Sequence, residues 1–441
     1  MTRWRLGSFQ LVAALSAVLI VAGCGRAADG PPVVVADVPI APAGEGPAVA
    51  ASDWPQILGP TRNGHAADQR LQGAWPEGGP QRLWKYTLGS GYGGAAVAGN
   101  RVIVFHRVGS SERVECVDAA SGKQLWKADF EANYSAGIDP DKGPRCVPLI
   151  AGQSVFVFGA AGDLHAVALE TGKPLWSRAL CDDYKSDLGY FGAGSTPVLV
   201  GGRLLVNVGG KGAGLVALDP ATGKTIWQAT DEAASYSSPA TVGLAGKEQA
   251  LFITRMNCVL ADPATGQVKK LFPFGARGPT VNAATPLVFG GKLFVTASYG
   301  IGAALASLDA GGAKTLWTND DTLSSQYATP VEHKGFLYGT HGREDQGVAE
   351  FRCVEAATGK VRWRQADFGV AHPILAGDKL LIQTADGRLV LAAADPTKYR
   401  ELASARVTQE LTRALPALAN GQLYVRTGSG GGELLCFKVG Q

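Results

Sequence analysis

With 441 residues, 46% of them hydrophobic, the chain can form one large domain, and length alone would allow two or three. Its 41 basic and 38 acidic residues include Arg3 and Arg5 of a leader segment, so the remainder is close to neutral. That balance excludes a general affinity for polyanions, and nucleic acid is not an expected partner.

Residues 1–23 place those two arginines ahead of an apolar run from Leu11 to Ala22, which leads into Val21-Ala22-Gly23-Cys24. The run is shorter than the roughly 20 residues a membrane-spanning helix needs, and its basic-then-apolar order is that of an export signal. The closing tetrapeptide resembles a bacterial lipobox, which implies cleavage before Cys24 and a diacylglycerol on its thiol; an uncleaved anchor is the alternative. Gly25 stands where similar lipoproteins retained at the inner membrane carry Asp, so the resemblance points to the periplasmic face of the outer membrane. Residues 24–53 carry five prolines, no aromatic residue and no lysine. Such a composition cannot bury enough apolar surface to fold, and it reads as a disordered tether with a reach of about 30 Å.

Residues 54–80 contain Trp54-Pro-Gln-Ile-Leu-Gly-Pro-Thr-Arg-Asn-Gly64 and Trp75. They read as a lead-in clip that pins both tryptophans against the side of the following domain, with capping of that domain as the alternative.

From residue 81 the chain repeats itself. The stretch CVDAASGKQLW, ending at Trp126, returns as AVALETGKPLW to Trp176, ALDPATGKTIW to Trp227, SLDAGGAKTLW to Trp317 and CVEAATGKVRW to Trp363. Inside the widest interval lies LADPATGQVKK, in which Lys270 replaces the tryptophan, and AADPTKYRELA keeps Asp395 but neither Gly nor Trp. A period of roughly 40 to 50 residues signals a repeat architecture. Apolar runs broken by Gly-rich turns make each unit a set of short strands, and four such strands bury too little alone, so units must stack radially.

Openings at Pro148, Pro197, Pro239, Pro286, Pro330, Pro373 and Pro416, preceded by Gly94-Ala95-Ala96, count eight units. The last has three strands, whereas Arg82 to Leu88 is a fourth strand with its own Trp84 and nothing before it. The sequence therefore predicts an all-β fold over residues 81–441: an eight-bladed β-propeller, four antiparallel strands per blade, closed by the N-terminal strand completing the C-terminal blade. The seams that lack tryptophan, after Gly266 and after Asp395, should be weaker.

The small-x-Asp-x-x-x-Gly-x-x-x-Trp pattern resembles the tryptophan-docking motif of PQQ-like repeats, over residues 54–441. Trp54 to Gly64 is similar to the WPxxxGPxxxxG lead-in of exported members. The resemblance implies that Trp84, Trp126, Trp176, Trp227, Trp317 and Trp363 are structural, each packing near the next blade's Gly with its indole N–H on a carbonyl. An exported, lipid-anchored propeller of this size resembles the BamB-type lipoproteins of outer-membrane protein assembly. That implies a non-catalytic, monomeric scaffold that binds protein partners of the cell envelope and needs no cofactor. The alternatives are a dehydrogenase of alcohols or sugars dependent on pyrroloquinoline quinone (PQQ) and calcium, and a cell-surface glycan-binding module.

A quinoprotein, by the same resemblance, needs oxygen ligands for calcium, a carboxylate base and often a disulfide between adjacent cysteines. This chain has no Cys-Cys pair. Asp139, Asp141, Asp182, Asp183, Asp187 and Glu232 are the nearest carboxylates and read as solvated loop charges. The six histidines lack metal-ligand spacing, and Gly209 to Gly214 joins two strands with no helix behind it, so it reads as a hairpin and not a phosphate loop. No catalytic residue and no metal ligand is expected. Cys116, Cys353 and Cys436 fall in the small-residue slot of the repeat as buried thiols, and Cys258 has no evident partner. Cys146 and Cys181 belong to one blade and open toward one face, which makes them a candidate disulfide. Three residues before the blade-opening positions stand Tyr92, Arg145, Tyr236, Tyr327 and Arg413, with His372 directly before its own proline. Inner strands converge at the axis, so these six form a candidate channel-mouth rim, which either plugs the funnel or receives a peptide or an acidic ligand.

Overall fold

The computed structural model describes residues 50–135, 137–428 and 431–440, together with the backbone of Val33–Val34. Eight antiparallel sheets form the blades of a propeller. Blades 1 to 7 span residues 96–131, 149–179, 198–229, 240–273, 287–319, 331–365 and 371–406. In blade 8, Gln81–Leu88 lies outermost against Gly432–Lys438, with Trp84 opposite Cys436, so the ring closes as the sequence predicts. The export signal and Cys24 lie outside the described residues, among which no helix is long and apolar enough to cross a membrane.

Each outer strand that carries a docking tryptophan has the same irregularity. Trp126 pairs with Cys116 and Gln124 with Val117, so Leu125 between them is skipped. Leu175, Ile226, Leu316, Arg362 and Leu83 are skipped in the same way before their tryptophans. A bulge of this kind adds a residue and sharpens the twist. It re-aims the indole from its own sheet toward the neighbouring blade.

The receiving turn is built to match. In blade 3, Asp219 Oδ1 accepts the N–H groups of Ala221 and Thr222 at 2.8 and 2.9 Å, and Gly223 then turns at φ +69°. A Cβ on Gly223 would lie 2.6 Å from the Trp176 ring, and one on Gly122 2.7 Å from Trp84, so glycine answers both a backbone and a contact requirement. Indole Nε1 atoms donate to the next blade's turn throughout: Trp84 to Ala119 O (2.8 Å), Trp126 to Leu169 O (2.9 Å), Trp176 to Pro220 O (3.0 Å), Trp227 to Pro263 O (2.9 Å), Trp317 to Ala356 O (2.9 Å) and Trp363 to Asp395 O (2.8 Å). Apolar clusters fill the wedges between successive blades, so the core is a ring of seams.

The two seams without tryptophan hold other contacts. Between blades 4 and 5, Lys269 Nζ donates to Gly311 O in the receiving turn, while Lys270, in register with Val259, turns back to Glu232 in the linker between blades 3 and 4, at 3.0 Å. At the blade 7 to 8 seam, Leu402 and Ala403 pack with Trp75 from the lead-in against the cluster that joins blades 7, 8 and 1.

The lead-in divides: residues 71–80, with Trp75 and with Gly79 against Ala405, lie at the outer strand of blade 7, whereas residues 54–65 do not lie along the side of the ring. Its backbone pairs with inner strands at Val97 of blade 1 and Leu375 of blade 7, and Pro55 O accepts from Ile150 N of blade 2 at 2.8 Å. Trp54 is buried beneath Gly59, whose Cβ position lies 2.9 Å from its ring, and a Cβ on Gly64 would meet Val331 of blade 6 at 2.7 Å. Gln69 Oε1 accepts from Gly421 N in the first hairpin of blade 8 at 2.7 Å. The segment crosses one mouth of the channel because only there do inner strands of so many blades come within its reach. A second difference concerns residues 24–53, expected to be disordered. Val33–Val34 pair antiparallel with Gln228 and Trp227 at the outer edge of blade 3. They begin the run Val33-Val34-Val35, whose β-branched residues favour an extended backbone.

Trp227, 1% exposed, should be among the costliest single truncations: Trp227→Ala is expected to lower unfolding free energy by about 3–5 kcal/mol. Lys269→Ala, at the seam without a tryptophan, should cost under about 1 kcal/mol, both read by chemical denaturation.

Candidate functional site

Inner strands meet at the axis, and their openings are tied by small hydroxyls. Thr196 Oγ1 accepts from Val147 N at 3.1 Å, Ser238 Oγ from Thr196 N at 2.9 Å, and Thr329 Oγ1 from Thr285 N at 2.9 Å, while Ser237 Oγ donates to Ala284 O at 2.7 Å. Below them Arg62 of the lead-in enters the hub. Its guanidinium donates to Gln56 Oε1 and Pro239 O, both at 2.7 Å, and to Pro197 O. Burial pulls its pKa down to about 9, so it stays protonated at neutral pH, with its charge solvated by two blade-opening carbonyls.

The opposite mouth carries the candidate rim, and most of its six residues come together. Arg413 lies at the centre: Nε donates to Glu344 Oε2 at 2.9 Å and Nη1 to the Tyr92 hydroxyl at 3.2 Å, with Asp139 Oδ2 3.8 Å away. Tyr327 donates to Glu344 Oε2 at 2.6 Å, and its ring lies 5.7 Å from that of His372. His372 Nε2 is 3.0 Å from Arg413 O. Arg145 stacks over Tyr92 at 5.5 Å and donates to Asp141 O at 2.8 Å and to Gly143 O. Tyr236 adjoins Arg145 across Gly194, but its hydroxyl turns away to accept from Phe191 N at 2.9 Å.

This arrangement corrects two expectations. The rim arginines are not poised for an acidic ligand, because Glu344, Asp139 and main-chain carbonyls already surround them. Nor are all the loop carboxylates solvated. Asp141 is buried and accepts from Gly91 N at 2.9 Å and Gly143 N at 2.7 Å, and buried Glu232 accepts from Thr254 Oγ1 at 2.6 Å and Asn257 Nδ2 at 2.8 Å. Asp183, by contrast, pairs with Arg178 at the surface, 2.7 Å away. Glu344, which organises the rim, escaped sequence reasoning. Arg343-Glu344-Asp345 forms the hairpin between the second and third strands of blade 6, and such hairpins share a face with the loops that open each blade. A search of those hairpins for charge would have found it.

The candidate disulfide is not formed: Cys146 and Cys181 are free, buried thiols. Cys146 Sγ faces Val147 O at 3.1 Å and Phe158 N at 3.4 Å, while Cys181 lies on a one-turn helix, Leu180–Tyr184, packed against Gly162. Burial pushes both thiols up to about 11, so neither is a nucleophile at neutral pH. Cys116, Cys353 and Cys436 each lie opposite a docking tryptophan.

Fold and hub together define the class, a β-propeller of tryptophan-docked, PQQ-like repeats. Within that class the chain belongs to the outer membrane protein assembly factor BamB family, whose sequence profile matches residues 110–365 and 305–441. It is 24% identical over 359 residues to the outer membrane protein assembly factor BamB of Burkholderia pseudomallei, covering 70% of this chain and 86% of that one. The quinoprotein alcohol dehydrogenase PedH of Pseudomonas putida is 32% identical over 133 residues, 28% of this chain and 21% of that enzyme. The solved structure of BamB from Moraxella catarrhalis is similar in fold, with a TM-score of 0.59 at 18% identity over 81% of this chain and 98% of that one.

One buried carboxyl on the rim's face titrates in a useful range. Glu112 of blade 1 reaches blade 2, where Oε1 accepts from Ala160 N at 2.8 Å and Oε2 has no partner. Burial raises its pKa from 4.5 to about 7, so the fold keeps a proton that the unfolded chain has already lost. Stability should therefore fall by roughly 3 kcal/mol as pH rises through that window and level off above it. Glu112→Gln should remove this fall, as read from denaturation midpoints at mildly acidic and mildly alkaline pH.

Proposed function

We propose that the protein is a non-catalytic propeller scaffold of the bacterial cell envelope, lipid-anchored through Cys24 at the periplasmic face of the outer membrane. It acts by holding protein partners, as the name of its family suggests for outer-membrane protein assembly. One observation carries this reading: the hub is filled by the chain itself, with Arg62 and Trp54 at one mouth and the Arg413, Glu344, Tyr327 and Tyr92 network at the other.

The demands of a PQQ and calcium enzyme do not fit these residues. A hard cation needs several oxygens converging with free lone pairs. Asp139, Asp141 and Glu344 are committed to Tyr92, Arg413, Tyr327 and main-chain N–H groups, and no three acidic, imidazole or thiol side chains converge among the described residues. The rim's face instead presents exposed apolar side chains on its hairpins and linkers: Val108, Ile138, Tyr190, Val348 and Leu411.

Two results are expected. Cys24→Ser should move the protein from the membrane fraction to the soluble fraction; unchanged fractionation would contradict the anchor. Purified protein supplied with PQQ and Ca²⁺ should reduce no dye with alcohols or sugars and acquire no quinone absorbance. Alcohol-dependent dye reduction would overturn the scaffold reading.

A further inference from the structure

On the rim's face, away from the axis, blades 6 and 7 leave a cavity of about 250 Å³ that opens to solvent. It lies between the hairpin after Phe336–Arg343, the linker of residues 366–370, the hairpin after Lys379–Thr384 and the linker of residues 407–416. Ala349, Val370 and Ala385 are buried together at its floor. Gly347 and Gly369 border it, and a Cβ on either would meet nothing within 4 Å. Main-chain bonds hold the walls in place. Ala385 N donates to Val370 O at 2.8 Å and Thr412 N to Ala385 O at 2.9 Å, while Gly428 N donates to Leu411 O at 2.8 Å. Arg388 lies over the Phe368 ring at 5.1 Å and donates to Phe368 O at 3.1 Å, which fixes the turn that presents Asp367.

Size and charge narrow what the cavity can hold. Small-molecule and cofactor sites run to roughly 300–1,000 Å³, so this one suits a single side chain. Among the charged residues that line it, Arg343 pairs with Asp345, Glu344 with Arg413 at 2.9 Å, and Asp386 with Arg406 at 2.7 Å. Asp367 is different: it is exposed, at φ +54°, and makes no hydrogen bond or ion pair among the described residues. Beside the opening stand Leu411, 42% exposed, and Val348, 61% exposed, which lies between Gly347 and Ala349. We propose that the cavity is a docking site for a basic residue of an extended protein segment, whose aliphatic stem lies on the alanine floor and whose charge meets Asp367. Lys and Arg bury their stems along apolar surface while the charged head stays at the mouth. Apolar residues on either side of the basic one cover Val348 and Leu411, which a free amine would leave exposed. The proposal rests on the scaffold reading only for the origin of that segment.

The test titrates the purified full chain into a fluorescent peptide, acetyl-Gly-Val-Arg-Val-Gly labelled at its C-terminus, followed by anisotropy. This peptide should bind at least about 10-fold more tightly than the same peptide with Glu in place of Arg. Asp367→Asn removes the charge and keeps a residue that tolerates the left-handed backbone, and it should weaken the Arg peptide about 3–5-fold. Asp367→Lys should reverse the preference and favour the Glu peptide. Ala349→Leu, which fills the cavity, should weaken the Arg peptide at least as much as Asp367→Asn does; should it fail to fold, the two Asp367 variants decide alone. Agmatine, a guanidinium on an aliphatic stem without a peptide, should compete at least about 10-fold more weakly than the unlabelled peptide. No saturable binding of the Arg peptide, equal binding of the Arg and Glu peptides, or an unaltered preference in Asp367→Lys would overturn the proposal. So would competition by agmatine as strong as the peptide's, since the site would then belong to a free amine. None of these readouts involves the lipid anchor or quinone chemistry, so failure here is separable from failure of the scaffold reading.

Discussion

The interaction on which the ring depends is an indole docked across a blade boundary. A bulge one residue earlier aims it, a glycine at positive φ makes room for its face, and a turn carbonyl takes its N–H. Without the bulge the side chain would lie along its own sheet, and a Cβ at Gly122, Gly172 or Gly223 would meet the ring at 2.7, 2.3 or 2.6 Å, although Trp363 docks on a turn that has lost its glycine. A repeat that satisfies all three fixes the spacing between neighbours, and successive seams then close a circle with no further instruction.

That geometry crowds eight inner strands around one axis and leaves polar main-chain groups facing the hub. The chain satisfies them from within: hydroxyls bridge adjacent openings, Arg62 spans two blades from below, and Glu344 gathers arginine and tyrosines from above. A buried guanidinium is tolerable because its hydrogens meet carbonyls and an amide oxygen. The consequence for function is positional. With the axis occupied, the surfaces left for partners are the loop faces and the outer edges, and the edges are mostly defended by charge.

Much of this was legible in the sequence. Period, turn chemistry and the unpaired strand at Trp84 gave eight blades and the closure, because each is a local pattern that repeats. The rim was legible in part, since position relative to the blade-opening prolines located Tyr92, Arg145, Tyr327, His372 and Arg413. Its charge balance was not, because Glu344 arrives from a hairpin of another strand pair. The first half of the lead-in was misplaced for a similar reason: its motif shows tight turns at Gly59 and Gly64, but the partners of Trp54 and Arg62 lie up to 177 residues away. The substitution of Lys269 for an indole at one seam follows no repeat register and was invisible to a search for Trp. Burial of Asp141 and Glu232 likewise depends on which backbone N–H groups and side chains surround them, which composition does not report.

The most direct measurement of the central claim is hydrogen exchange at the tryptophan indoles, followed by NMR of the protein labelled with ¹⁵N at tryptophan. The chain has nine tryptophans, and the account predicts that the Nε1 protons of Trp84, Trp126, Trp176, Trp227, Trp317 and Trp363 exchange only as fast as the ring itself opens. Exchange of these six at the rate of free indole, in a protein that remains folded, would contradict it.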